Sequence, residues 1–266
     1  MLLVRALLKR QPLRKMSCCL DFSAVAFNMH GPIRLFLSAL VSLTFISSGS
    51  ANESGQHLFI LSGQSNMVGL DPNVSFRPEV TKEFGKDSII LVKDAVGGQP
   101  IRRWYKKWKS ANGIQGRANG DLYDQLMTKV NAAIKDQKIK TVSFVWMQGE
   151  SDAKDKINGE VYAASLKGLI DQLQTDLKRS DVNVVIGRIS DWDMVDKIFP
   201  HWTMVRKAQL EVAESCNRYA WVDTDDLNGV GNALHYNAKG YEALGSRFAE
   251  KAIELINKKR DAVGRK

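Results

Sequence analysis

Cysteine and histidine are both scarce in this chain, with three and four residues among 266. No cluster of them has the spacing of a metal site, so no metal is expected. Internal repeats and long low-complexity tracts are also missing, which leaves one ordinary globular domain with a sizeable core. The apolar run Leu35 to Ile46 is too short to span a bilayer comfortably.

That run reads instead as the centre of an export signal. Arg34 precedes it, and Ser47-Ser48-Gly49-Ser50-Ala51 follows with small residues where a signal peptidase inspects the chain. Cleavage is expected after Ala51, with Met29 an alternative native start, and the product is expected to be secreted or periplasmic. An uncleaved membrane anchor is the competing reading. Residues 1–51 hold six Lys/Arg and one Asp, so their removal lowers the formal charge from +9 to +4. A charge of +4 over residues 52–266 is no nucleic-acid footprint. Cleavage also removes Cys18 and Cys19, leaving Cys216 alone as a buried filler in a helix.

Within 52–266, short apolar runs alternate with longer amphipathic stretches. His57–Leu61, Ser88–Val92, Thr141–Met147, Val182–Ile189 and Tyr219–Val222 read as strands. Helical stripes run through Leu122, Leu126, Val130 and Ile134, through Tyr162, Leu166, Leu169, Leu173 and Leu177, and through Tyr241, Leu244, Phe248, Ala252 and Ile256. This alternation predicts an α/β fold with a mostly parallel sheet covered on both faces. Active sites of such sheets form at the carboxyl ends of the strands.

Two polar segments follow strand ends. Gly63-Gln64-Ser65-Asn66-Met67 places a serine just past the first strand, where a nucleophile is exposed and backbone N–H groups can hold an oxyanion. Gln148-Gly149-Glu150-Ser151-Asp152 follows the third strand. There Gln148 offers amide donors toward an oxyanion and Glu150 a carboxylate to orient an imidazole; a plain turn with Ser151 or Asp152 as a helix cap is the simpler alternative. The base is found by elimination among three histidines. His57 starts the first strand, at the wrong edge, and His201 begins a helix. His235 lies in a loop just before the last helix, for which Asn237 is a suitable cap.

Gly63-Gln64-Ser65-Asn66-Met67, Gly97-Gly98, Gln148-Gly149-Glu150-Ser151-Asp152 and His235 followed by Gly240-Tyr241 stand in an order that resembles the sialate O-acetylesterase-like domain. That domain is shared with the acetylxylan esterases of carbohydrate esterase family six, within the SGNH (GDSL-like) hydrolases. The resemblance spans about residues 56–256. It implies a three-layer αβα sandwich with a five-stranded sheet, and deacetylation of carbohydrates without a cofactor. It further implies Ser65 as nucleophile, His235 as general base, and an oxyanion hole from the N–H groups of Ser65 and Gly98 (or Gly97) with Gln148.

One position departs from the pattern. Related enzymes often carry an aspartate three residues before the histidine, where this chain has Asn232. A neutral amide cannot stabilise an imidazolium, so Glu150 is the preferred acid, with Asp225 or Asp226 as alternatives. Asn66, Trp104 and Trp108 are candidate substrate contacts, the tryptophans by stacking on sugar rings; a partly buried aromatic pair is the competing reading. An inactive carbohydrate-binding protein and a lipase or arylesterase on the same fold remain the rival functions.

Overall fold

The computed structural model describes residues 55–116 and 119–263. The export signal and its cleavage point lie outside these residues. Five strands, β1 (Gln56–Gly63), β2 (Ile89–Ala95), β3 (Ile139–Met147), β4 (Asn183–Gly187) and β5 (Tyr219–Val222), form one sheet in the order β2-β1-β3-β4-β5. Every pairing is parallel. All five apolar runs read as strands are strands, within a few residues at their ends.

Helices cover both faces because successive side chains of a strand point to opposite sides. Leu58 and Ile60 of β1, with Phe144 and Trp146 of β3, face α3 (Asp121–Ile134), α5 (Tyr162–Asp176) and α6 (Trp202–Glu214). Phe59 and Leu61, with Val145 and Met147, face α1 (Ser65–Gly69), α2 (Phe76–Phe84) and α7 (Ala238–Val263). A seventh helix, α4 (Lys156–Glu160), is a single short turn whose N-cap Asp155 accepts from the Asn158 N–H. The stripes through Leu122, Leu126 and Val130, through Leu166, Leu169 and Leu173, and through Leu244, Phe248 and Ala252 all lie in the core. Cys216 is buried too, just beyond α6 rather than inside a helix.

Register places the functional loops. Gly63 pairs with Ala95 on one side and Met147 on the other, Met147 with Gly187, and Gly187 with Val222. The five strands therefore end at one level. The loops that follow them, beginning at Gln64, Val96, Gln148, Arg188 and Asp223, open on the same edge. The crossover from β1 places β2 on one side of it, and the crossover from β2 returns past β1 to place β3 on the other. Ligands of such sheets bind at that switch point. Gly63 shows how tightly the strands close there, since a Cβ at this position would lie 1.9 Å from the Met147 carbonyl oxygen.

Candidate active site

Ser65 is the first residue of α1, directly after β1. Its N–H is among the donors that a helix start leaves without an intrahelical acceptor. The loop after β2 comes up against it: a Cβ on Gly97 would lie 3.7 Å from the Ser65 Cβ. Gly98 turns the chain away with φ of +69° and open space around it. Gly97 is thus the glycine packed on the serine, and its peptide with Gly98 follows directly. At the other end of α1, the Lys93 ammonium donates to the carbonyls of Val68 (2.9 Å) and Leu70. Burial lowers its pKa from the usual lysine value, while Asp71 opposes that shift.

Beneath Ser65 lies a buried polar layer. The Gln64 Oε1 accepts from the Ser151 N–H at 3.2 Å and from the Gln148 Nε2 at 3.3 Å. Gln148 Nε2 also donates to the Gln99 carbonyl at 3.1 Å and to Asp152 Oδ2 at 2.5 Å. An amide has two hydrogens, and three acceptors already surround them. Gln148 is fully buried with its donors engaged, so it braces the loop behind the serine and does not face an oxyanion. This corrects the direct role expected of it.

Asn66 is corrected in the same way. It is buried, donates to Glu150 Oε1 (3.1 Å) and the Leu234 carbonyl (3.3 Å), and accepts from the Tyr241 hydroxyl (3.3 Å). No face is left for substrate. Instead it ties Glu150 to the residue preceding His235. Glu150 is 2% exposed, and its Oε2 has no hydrogen-bond partner among the described residues. Desolvation raises its pKa above the ordinary glutamate value, against backbone N–H groups, Asn66 and Lys154, which lower it.

His235 stands exposed in the loop after β5. Among the described residues no hydrogen bond reaches its ring, and so none joins it to Glu150. Its backbone is nonetheless held. The Leu234 carbonyl is bound to Asn66, Tyr236 is buried, and the Asn237 Oδ1 caps α7 by accepting from the Gly240 N–H at 2.9 Å. His57 pairs with Thr141 at 2.7 Å and stacks on Phe84 at the opposite edge of the sheet. His201 is the N-cap residue of α6.

The alternative acids are committed elsewhere. Asp225 is held by Arg206 (2.7 Å) and Arg188 (2.8 Å), and Asp226 by Arg247 (2.5 Å). Both carboxyl groups sit below the usual aspartate range, Asp225 through its two arginines against burial and Asp226 chiefly through its Arg247 hydrogen bonds. Asn232 adopts φ of +60° in a tight turn, accepts from Asn228 Nδ2 at 2.7 Å and donates to the Trp192 carbonyl at 3.3 Å. An asparagine fits there because an amide both accepts and donates, whereas a carboxylate cannot donate to a carbonyl.

Trp104 and Trp108 are 1% and 4% exposed, which closes both to a sugar ring. Trp104 meets Trp146 edge-on at 5.2 Å, and α5 anchors the segment: Gln172 donates to the Trp104 carbonyl and accepts from the Lys106 N–H, each at 3.0 Å. Trp104→Ala is expected to lower stability by about 3–5 kcal/mol. Denaturant unfolding read beside KM on one ester would show it, with KM little changed in the folded fraction.

Asp152 is the site residue that sequence reasoning missed. Offered there only as one of two helix caps in the alternative reading of a plain turn, it reaches across to the Ile101 N–H at 2.9 Å. Nothing in its local sequence signals that long-range contact. Among the described residues no group of three or more His, Cys, Asp or Glu side chains could hold a metal ion.

A parallel five-stranded αβα sandwich with a serine at the carboxyl edge of β1 is a fold this chain shares with a putative GDSL-like lipase of Parabacteroides merdae, at a TM-score of 0.51 and 13% identity. Residues 68–254 match the family described as carbohydrate esterase, sialic acid-specific acetylesterase, and the chain belongs to this family of carboxylic ester hydrolases. The matched segment begins three residues after Ser65. A probable carbohydrate esterase of Arabidopsis thaliana is 26% identical over 202 residues, which cover 74% of this chain and 69% of that protein. Its solved structure superposes with a TM-score of 0.60 at 21% identity, over 76% of this chain and 99% of that one. A carbohydrate acetylesterase from Xanthomonas citri gives 0.55 at 15% identity, over 74% and 56% of the two chains. The aryl esterase of M. smegmatis gives 0.51 at 14%, over 75% and 99%.

Proposed function

We propose that this chain is an exported serine esterase that removes O-acetyl groups from carbohydrates of the acetylxylan or sialic acid type. One observation carries the reading: Ser65 opens a helix against Gly97 at the switch point of the sheet, and Asn66 beside it tethers the loop that carries His235. The family and the printed descriptions of the Arabidopsis and Xanthomonas proteins support an acetylated sugar as substrate.

In this mechanism His235 takes the Ser65 hydroxyl proton as the oxygen attacks the acetyl carbonyl carbon. The negative charge formed on the carbonyl oxygen is met by the Ser65 N–H and the Gly97–Gly98 peptide N–H. Protonated His235 then gives its proton to the departing sugar oxygen, leaving an acetyl-serine. Water attacks that ester with His235 again as base, and acetate leaves. No step calls on a metal or cofactor. Glu150 is the acid of the scheme: its unpartnered Oε2 accepts from His235 Nδ1–H once the imidazole rotates inward on its tethered backbone.

Acetate release from acetylated xylan, acetylated sialic acids and simple sugar acetates tests the reading, with 4-nitrophenyl acetate as a general probe. Turnover of sugar acetates supports it, and no acetate from any ester overturns it. Secretion is tested by the N-terminal residue of the exported protein, expected to be Asn52.

A second reading, hydrolysis of aryl or lipid esters, is favoured by one feature. Met194, Val195 and Ile198, in the loop after β4, and Val230, in the loop after β5, are exposed, Val230 by 90%. Both loops open on the edge that carries Ser65. Preference for esters of apolar alcohols over sugar acetates in the same panel would select this reading.

A further inference from the structure

We propose that Asp152 is a positioning residue for the oxyanion loop: its Oδ2 holds the Ile101 N–H and the Gln148 amide, and through them the strap Gly97–Ile101 beside Ser65. The inference rests on the serine-esterase reading and assigns the support of its oxyanion donor.

The strap is anchored at its end by the Ile101 side chain, fully buried in the core, and Gln99 accepts from the Arg103 guanidinium at 2.6 Å. It leaves β2 after Val96, whose N–H binds the Gly63 carbonyl at 3.1 Å, and turns at Gly98 in a left-handed conformation. Two polar contacts from the loop after β3 hold its backbone as well. Gln148 Nε2 binds the Gln99 carbonyl, and Asp152 Oδ2 binds the Ile101 N–H at the start of the short turn Ile101–Arg103. The same Asp152 oxygen receives the second Gln148 hydrogen, so one acceptor fixes both clamps. The amide orientation follows from Gln99, whose carbonyl can only accept. Gln148 is itself fixed from below, its own carbonyl accepting from the Tyr162 hydroxyl at 2.6 Å and Gln209 Nε2 at 2.8 Å. An oxyanion donor must be in place before charge develops, and a displacement of about 1 Å can cost a hundredfold in rate.

The clamp is a buried carboxyl group. Desolvation pushes its pKa up to about 7, against Gln148, the Ile101 N–H and Arg102, which lower it; Asp155 adds to the rise. Glu150 in the same loop and Tyr162 of α5 are the other titratable neighbours. Because the folded value lies above the unfolded one, the folded state holds an extra proton between roughly pH 4 and 7. Stability from this group is therefore complete below the unfolded pKa and lost as pH rises through about 7. Asparagine supplies the same acceptor oxygen with no charge to desolvate.

The test compares Asp152→Ala and Asp152→Asn with wild type by kcat and KM on 4-nitrophenyl acetate, and by Tm at pH 5 and pH 8. Asp152→Ala should lose about ten- to a hundredfold in kcat with KM nearly unchanged, because the displaced donor acts mainly on the transition state. Asp152→Asn should restore kcat to within about threefold, and its Tm advantage over wild type should widen by a few degrees from pH 5 to pH 8. If the alanine variant does not fold, Asp152→Ser, whose hydroxyl is too short to reach Ile101, takes its place. Wild-type kcat in a folded Ala or Ser variant overturns the inference. So does an Asn variant as impaired as Ala, or a Tm gap that does not change with pH. Labelling of wild-type Ser65 by a phosphonate ester separates the two levels: an unlabelled, inactive wild type sinks the esterase reading itself, whereas a labelled, active one leaves only the role of Asp152 in question.

Discussion

Ser65→Ala leaves a folded protein that no longer turns over 4-nitrophenyl acetate. The hydroxyl is the atom to which the acetyl group is transferred, and no other serine stands at the start of α1 against Gly97. Loss of the nucleophile in a serine hydrolase costs on the order of 10⁶ in kcat in the best-measured example. Stability should change by no more than about 0.5 kcal/mol, because the side chain is only half-buried and makes no hydrogen bond among the described residues. Turnover by the variant within tenfold of wild type, at an unchanged melting temperature, would refute the serine mechanism.

Glu150→Gln is the second large effect, and it separates catalysis from stability. If Glu150 stabilises the charge on His235 in the transition state, its amide should lower kcat by up to about 10⁴-fold. Stability should move the other way. The glutamate pKa is raised by burial, so the folded state loses stability as pH rises above the ordinary carboxylate range. A neutral glutamine escapes that loss and still accepts from Asn66. The variant is therefore expected to be at least as stable as wild type at pH 8 and nearly inactive. Asn232→Ala supplies the contrast: it loses neutral hydrogen bonds to Asn228 and Trp192, worth about 1 kcal/mol or fivefold in rate. Asn232→Asp does not repair the departure from the family pattern, since it removes the donor to the Trp192 carbonyl. Comparable kcat in Glu150→Gln and wild type would remove Glu150 from the mechanism.

The residues in these experiments differ in how far the sequence alone identified them. The place of Ser65 at the sheet edge was legible because Leu58 to Leu61 is an uninterrupted apolar run, and a polar turn follows at once. The loop position of His235 was legible too, and scarcity singled it out, since the other two histidines of the 52–266 stretch fall where a strand and a helix begin. Asn237 was legible as a cap. Such signals are local, and local backbone geometry decides them.

The roles of Gln148, Asn66 and the tryptophans were not legible. Gln148 and Asn66 have the right chemistry to face a substrate, but side-chain direction at a strand end depends on the neighbouring loops. Here Asp152, Gln99, Glu150 and Leu234 take up their hydrogens. The segment Ile101 to Lys109 has no helical or strand period, so its Trp residues could have faced either way. Two hydrogen bonds from Gln172 on α5, distant in the chain, turn them inward. Asp225 and Asp226 looked available only because Arg188, Arg206 and Arg247 are far away in sequence.

The sequence by itself determined the alternation of strands and helices, the parallel sheet, and the edge on which the polar segments emerge. Periodicity and chain connectivity suffice for these, because burying a strand or a helix face requires a repeating apolar pattern. Only the tertiary structure decided which polar side chains face the cleft and which brace it from behind. That choice depends on contacts between residues such as Ile101 and Asp152, which the fold brings to 2.9 Å across fifty-one positions of chain. A buried donor must find an acceptor wherever the fold provides one, and no local pattern encodes where that will be.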